Sequence, residues 1–202
     1  MRVSSPTISP DRRARLVVML KEPRPGRVKT RLGAEMGAVG AAWWYRHQVA
    51  RLLRSVRDPR WELLLAVGPD SAMQSRVWPA NLPRVGQGTG DLGARMARIF
   101  RSLPPGPACI IGSDIPGVNR HHISGAFRSL GSHDAVIGPA PDGGYWLIGM
   151  KRSSAPSRGL FEGVRWSSAW ARTDTEASLG TARIAHVTSL RDVDTAEDLR
   201  AL

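Results

Sequence analysis

Leu16-Val-Val-Met-Leu20 is a short, unbroken apolar run, and Lys21-Glu-Pro-Arg-Pro-Gly-Arg-Val-Lys-Thr-Arg31 follows it directly. An apolar run of this length with no polar interruption suits a strand buried on both faces. Such strands belong to parallel sheets covered by helices, where ligands bind beyond the carboxyl ends of the strands. The segment after the run, Lys21 to Gly33, therefore falls where chemistry is expected. Five cations lie within the eleven residues quoted. Pro23 and Pro25 stiffen the loop, and Gly26 lets the backbone turn tightly and approach a ligand. Arginine suits bidentate phosphate contacts and lysine supplies a compact charge, so the loop has what a di- or triphosphate needs. The alternative is a solvated basic turn. It is not a Walker A loop, because the G-x-x-x-x-G-K-[ST] spacing is absent.

Working outward, residues 35–56 read as one long helix, with Val39, Ala42, Trp43, Val49, Leu52, Leu53 and Val56 at helical spacing. Trp61 to Val67 reads as a second strand, and residues 91–103 as an amphipathic helix opened by Asp91 as N-cap. Cys109–Ile111 is a further strand and 120–130 a helix. Ala135–Ile137 and Tyr145–Gly149 are two more strands joined by a turn-rich link, and 184–188 is the last. Thr195 opens a terminal helix. Strands alternate with helices, which predicts an α/β fold with a mostly parallel sheet and helices on both faces. Residues 1–14 are expected to be a flexible arm and 15–202 a single domain.

Composition narrows the function classes. The chain has 202 residues, 42% apolar and 23% charged, which excludes disorder over most of its length. No apolar stretch approaches the roughly 20 residues of a membrane span, and the polar N-terminus does not read as a secretory signal, so a cytoplasmic location is expected. Cys109 is the only cysteine, which rules out a disulfide framework and a cysteine-based zinc site. The net charge of +12 comes from 29 cations, of which only Lys21, Lys29 and Lys151 are lysine. With no long Lys/Arg block and no helix-turn-helix or RNA-binding signature, a specific nucleic-acid partner is not expected.

Four further segments carry chemistry-bearing residues. Gln87-Gly-Thr-Gly-Asp-Leu-Gly93 sets glycines before a helix start, where backbone N–H groups receive a base or phosphate, or simply connect two elements. Gly112-Ser-Asp-Ile-Pro-Gly117 holds Asp114 just past a strand, where its oxygens suit Mg²⁺ or Mn²⁺, or merely form a turn. Asp142-Gly-Gly-Tyr-Trp sets a carboxylate beside two glycines that allow close ligand approach, or makes a hairpin turn. In Arg191-Asp-Val-Asp-Thr-Ala-Glu-Asp198, Thr195 and Asp198 make a capping box, which leaves Asp192 and Asp194 for a second metal ligand. His121 and His122 are neighbours on a helix and do not face one another, so they are read as surface histidines. Trp43, Trp44, Trp61 and Trp78 are read as packing.

In this order, LKEPRPGRVKTRLG, QGTGDLGARM, IGSDIPGV, IGPAPDGGYWLIG, LFEGVRWSS and LRDVDTAEDL resemble a bacterial family of small glycosyltransferase-like proteins. That family lies in the nucleotide-diphospho-sugar transferase superfamily. The resemblance spans residues 20–199 and implies a Rossmann-like three-layer sandwich of GT-A type. It places nucleotide binding on Pro25, Gly26, Arg27, Lys29, Arg31, Gln87, Gly88, Gly90 and Asp91. The metal falls on Asp114 with Asp194 and Asp192, and the acceptor on Gly143, Gly144, Trp166 and Ser167; catalysis is expected of Asp114, with Asp142 as the candidate for orienting or deprotonating the acceptor hydroxyl. The family usually carries Cys and Thr where this chain has Ile115 and Ser168. The implied activity is Mg²⁺- or Mn²⁺-dependent glycosyl transfer from a nucleotide-sugar to a small acceptor. The alternative is nucleotidyl transfer from a nucleoside triphosphate to a phosphorylated small molecule with release of pyrophosphate, to which a single Asp114 without a D-x-D motif is closer. A non-catalytic nucleotide sensor or a basic nucleic-acid binder is the third class.

Overall fold

A computed structural model describes residues 13–200. In chain order its elements are β1 (Ala14–Lys21), α1 (Thr30–Met36), α2 (Ala38–Ser55), β2 (Trp61–Gly68), a 3-10 turn (Asp70–Ala72), β3 (Arg84–Gly86), α3 (Leu92–Ser102), β4 (Ala108–Ile111), α4 (Arg120–Ser129), β5 (Ala135–Pro139), β6 (Tyr145–Met150), α5 (Ala171–Ser178), β7 (Ile184–His186) and α6 (Ala196–Arg200). The seven strands form one sheet in the order β3-β2-β1-β4-β6-β5-β7. Only β6 runs against the rest, pairing antiparallel with β4 and β5. The carboxyl ends of β1, β2, β4, β5 and β7 therefore share one edge of the sheet.

The central strand explains the layering. Side chains alternate across a strand, so Leu16, Val18 and Leu20 pack on Tyr45, Val49 and Leu52 of α2 in a core that also takes in Ile123 and Ala126 of α4. Val17 faces the other way, into a second core built on Met96, Ile99 and Phe100 of α3 and on Leu160, Phe161 and Val164. Two caps fix the helices: the Asp91 carboxylate accepts from the Ala94 N–H at 2.8 Å, and Asn119 with His122 closes a capping box at α4. His122 thus serves its helix start while His121 lies exposed.

The structure corrects several expectations. The helix read over 35–56 is two helices, broken at Gly37, whose φ of 83° lies in the left-handed region. The first of them begins at Thr30, inside the segment read as loop. Val39 and Trp43 are 72% and 63% exposed, so Trp43 is not packing; the face of α2 that meets the sheet is centred on Tyr45, Val49 and Leu52. Trp61 and Trp78 are buried and Trp44 packs on the core, as expected. The short strand β3 and helix α5 were not anticipated. Residues 1–12 of the expected arm lie outside the described residues, and Ala14 already belongs to β1. Among the described residues no helix is long and apolar enough to cross a membrane.

Candidate active site

Three chain segments converge beyond the strand ends. Lys29 sits at the mouth of α1 in a left-handed conformation, φ 47°, a strained geometry for a residue with a β-carbon. Asp114 follows β4. Asp192 and Asp194 flank Val193, which is 1% exposed and whose N–H donates to the Asp114 carbonyl at 3.1 Å. In that segment, burying Val193 turns its two neighbours outward together. The carboxylates of Asp114, Asp192 and Asp194 each offer an oxygen within 4.8 Å of the others. A set of three hard oxygen donors fits Mg²⁺ or Mn²⁺, which take one or two carboxylates together with substrate phosphates.

Lys29 threads into this cluster. Its Nζ lies 2.5 Å from Asp114 Oδ2 and 2.7 Å from Asp194 Oδ1, with the side chain 7% exposed. Burial works against its charge, but Asp114 and Asp194 more than offset that and hold its pKa above the ordinary lysine value. Arg31 adds a looser contact to Asp194 at 3.4 Å. Asp192 receives the opposite treatment. Burial, and then the charges of Asp114 and Asp194, push its carboxyl up to about 6. A divalent cation among the three would offset the mutual repulsion of the carboxylates, the second of those causes.

A hydrogen-bonded brace fixes the spacing between the basic loop and Asp114. The Tyr45 hydroxyl, 3% exposed, accepts from the Lys21 N–H at 3.1 Å and shares a 2.7 Å hydrogen bond with Ser113 Oγ. Burial drives its pKa up to about 12, so it remains a neutral phenol at physiological pH.

The cleft divides into three lobes. A cavity of about 560 Å³ is lined by Lys21, Lys29, Arg31, Gly90, Arg95 and Asp114. A second of about 590 Å³ lies toward β2, bordered by Arg24, Arg27, Asp70, Gly88, Gly90 and Arg95. The third, about 450 Å³, is walled by Asp142, Gly144, Trp166, Ser167 and Asp192, and meets the first along Arg31, Leu92, Gly112, Asp114 and Asp194.

The residues singled out from the sequence fall into two groups. Arg27, Lys29, Arg31, Gly88, Gly90, Asp114, Asp142, Gly144, Trp166, Ser167, Asp192 and Asp194 line the cleft. Others shape it. Pro25 and Gly26 form the exposed turn of the basic loop, Gly26 with φ 74°. Gln87 lies on the floor of the first cavity, buried, its amide nitrogen donating to the Leu20 and Ala66 carbonyls at 3.0 and 2.8 Å. Asp91 lines the same cavity while capping α3. Asp142 accepts from the Gly144 N–H at 2.9 Å, so the expected hairpin turn and a carboxylate bordering the third lobe coexist.

Gly143 has a different task. Its φ is 86°, and a β-carbon would collide with the backbone of Ala169, whose Cα is 2.6 Å from that position. Its carbonyl accepts from the Arg172 N–H at 3.0 Å, tying the hairpin to the wall that carries Trp166 and Ser167. Gly143→Ala is expected to destabilise the protein by about 1–3 kcal/mol through strained backbone, read from the urea midpoint. Gly144→Ala, which meets only the Asp142 side chain at 3.1 Å, is expected to cost less.

Tyr45, Arg95 and Asp70 are not among the residues singled out from the sequence. Tyr45 lies inside a helix, where nothing local marks it as reaching the cleft. Asp70 follows the end of β2 and accepts from the Gly88 N–H at 2.9 Å; the strand-end rule that found Asp114 applies to it equally.

The fold defines a class, the nucleotide-diphospho-sugar transferase fold, here with a cleft at the carboxyl ends of the strands. The crystal structure of a candidate nucleotide-diphospho-sugar transferase from Desulfovibrio desulfuricans G20 superposes with a TM-score of 0.83 at 30% identity, covering 94% of this chain and 85% of that one. The 4-diphosphocytidyl-2C-methyl-D-erythritol synthase of Anaerococcus prevotii DSM 20548 has the same fold, with TM-score 0.57, 10% identity and coverage of 93% and 95%. So has Rv0371c of Mycobacterium tuberculosis H37Rv, solved in complex with manganese, with TM-score 0.52, 14% identity and coverage of 94% and 97%. No curated protein matches the sequence. Residues 51–168 match the family described as "Uncharacterized protein conserved in bacteria (DUF2064)", and the chain belongs to that family.

Proposed function

We propose that this chain is a divalent-metal-dependent transferase that takes a nucleotide-activated donor, and that it transfers a glycosyl group from a nucleotide-sugar to a small acceptor. One observation carries this: Asp114, Asp192 and Asp194 meet beside Lys29 at the seam between a basic cavity and a second, carboxylate-bearing one. The neighbours' names agree with it, the Desulfovibrio protein being described as a transferase of this kind and the Mycobacterium protein as a manganese complex.

In this assignment Arg27, Arg31, Lys21 and Arg95 hold the donor's phosphates, and Gly88 and Gly90 border the cavities in which the nucleotide lies. Asp114 and Asp194, with Asp192, would hold Mg²⁺ or Mn²⁺, which when bound offsets charge on the leaving phosphate. Trp166 and Ser167 flank the acceptor, and Asp142 orients its hydroxyl and takes the proton on a carboxylate oxygen. No side chain is assigned as nucleophile, so transfer is direct. Domain 15–202 acts as one unit in this scheme.

Nucleotidyl transfer is the second reading. It is favoured by Asp114 working with a partner 80 residues away rather than within a D-x-D pair, and by the fold shared with a cytidyl-group synthase. A melting-temperature screen of nucleoside triphosphates and nucleotide-sugars, with and without Mn²⁺, tests the class. A ligand at 100 times its dissociation constant stabilises by about 2.7 kcal/mol. No shift with any nucleotide would overturn the proposal. Product analysis then separates the chemistries: a nucleoside diphosphate plus glycosylated acceptor supports the first, pyrophosphate release from a triphosphate the second.

A further inference from the structure

We propose that Lys29 is the resting occupant of the cation position, so that its ammonium and the divalent metal compete for Asp114 and Asp194. The inference rests on the metal role given to those carboxylates above. Nζ lies within 2.7 Å of one oxygen from each, deep among three carboxylates that crowd within 4.8 Å. Two cations held by the same pair of carboxylates at such range repel strongly in a partly dry site. A metal entering among the three acids therefore competes with Nζ for Asp114 and Asp194.

The structure also supplies a destination. Lys29 belongs to the basic loop and lines the cavity shared with Lys21, Arg31 and Arg95, where a polyphosphate would sit. A swing of its flexible stem would take the ammonium from carboxylate to phosphate and leave the acids to the metal. Metal and donor then load together, and by linkage each raises the affinity of the site for the other. The left-handed backbone at Lys29 fits a residue held in place by its surroundings rather than by its own preference.

Mn²⁺ titration of the full chain without nucleotide, followed by the electron-paramagnetic signal of free Mn²⁺, tests this. Lys29→Met keeps the stem and the backbone strain but removes the charge. Its Mn²⁺ affinity is expected to rise at least tenfold over wild type. Lys29→Arg retains a cation and is expected to stay within a few fold of wild type. Lys29→Gln, together with the Mn²⁺-induced rise in melting temperature, serves as a second reading should the Met variant fold poorly. Equal or weaker Mn²⁺ binding by both uncharged variants, with wild type binding measurably, would overturn the competition while leaving the metal site intact. Absence of Mn²⁺ binding in wild type and all three variants would overturn the metal role itself, and the competition with it.

Discussion

Asp114→Asn is expected to lower turnover with the donor found in the nucleotide screen by about 10²–10³, equivalent to about 3–4 kcal/mol of lost transition-state stabilisation. The substitution preserves shape and removes one of three oxygen-donor charges that meet at the cluster. The Mn²⁺-dependent rise in melting temperature should fall with it. Lys29 keeps its 2.7 Å partner in Asp194, and Asp192 loses a repulsive neighbour. The metal-free protein should consequently remain folded, and circular dichroism checks this. A variant with wild-type turnover and an unchanged Mn²⁺ shift would remove Asp114 from the mechanism.

Phe100→Ala is expected to destabilise the protein by about 3–5 kcal/mol. Phe100 is 0% exposed and central to the second core. Its ring stacks on Phe161 with centroids 6.4 Å apart, and Phe161 in turn meets Trp166 edge-on at 6.1 Å. For a chain of this size each kcal/mol lowers the melting temperature by about 2–4 °C, so a drop of roughly 6–20 °C should be seen by calorimetry. The loss propagates toward the acceptor wall, because Trp166 rests on this aromatic chain. Trp43→Ala is the matched control. Its ring is 63% exposed, and a change within about 0.5 kcal/mol is expected for such a surface position.

The contrast between those tryptophan and phenylalanine positions shows where sequence periodicity stops. Helical spacing located α2 but spread its apolar face too widely, taking in the exposed Val39 and Trp43 on the same helix whose buried face is centred on Tyr45, Val49 and Leu52. Short strands such as β3, three residues long, carry too little pattern to be read. The carboxyl-edge rule points to Asp114 just past β4, where the structure has it. It points equally to Asp70 after β2, and it has no purchase on Tyr45, which reaches the cleft from a helix.

Local chemistry fixed the alternation of buried strands and amphipathic helices, and hence a mostly parallel α/β sheet with its cleft at one edge. It also fixed the cations of the basic loop and the acids in excess of the Thr195–Asp198 cap. That Asp114, Asp192 and Asp194 meet is a product of tertiary structure, which the sequence reading reaches only through the family resemblance. Asp114 and Asp194 are 80 residues apart in the chain. They share Lys29 because Val193 is buried and its N–H is bonded to the Asp114 carbonyl. Separation along the chain carries no information about such a contact; it exists only once the sheet has brought the two ends to one edge.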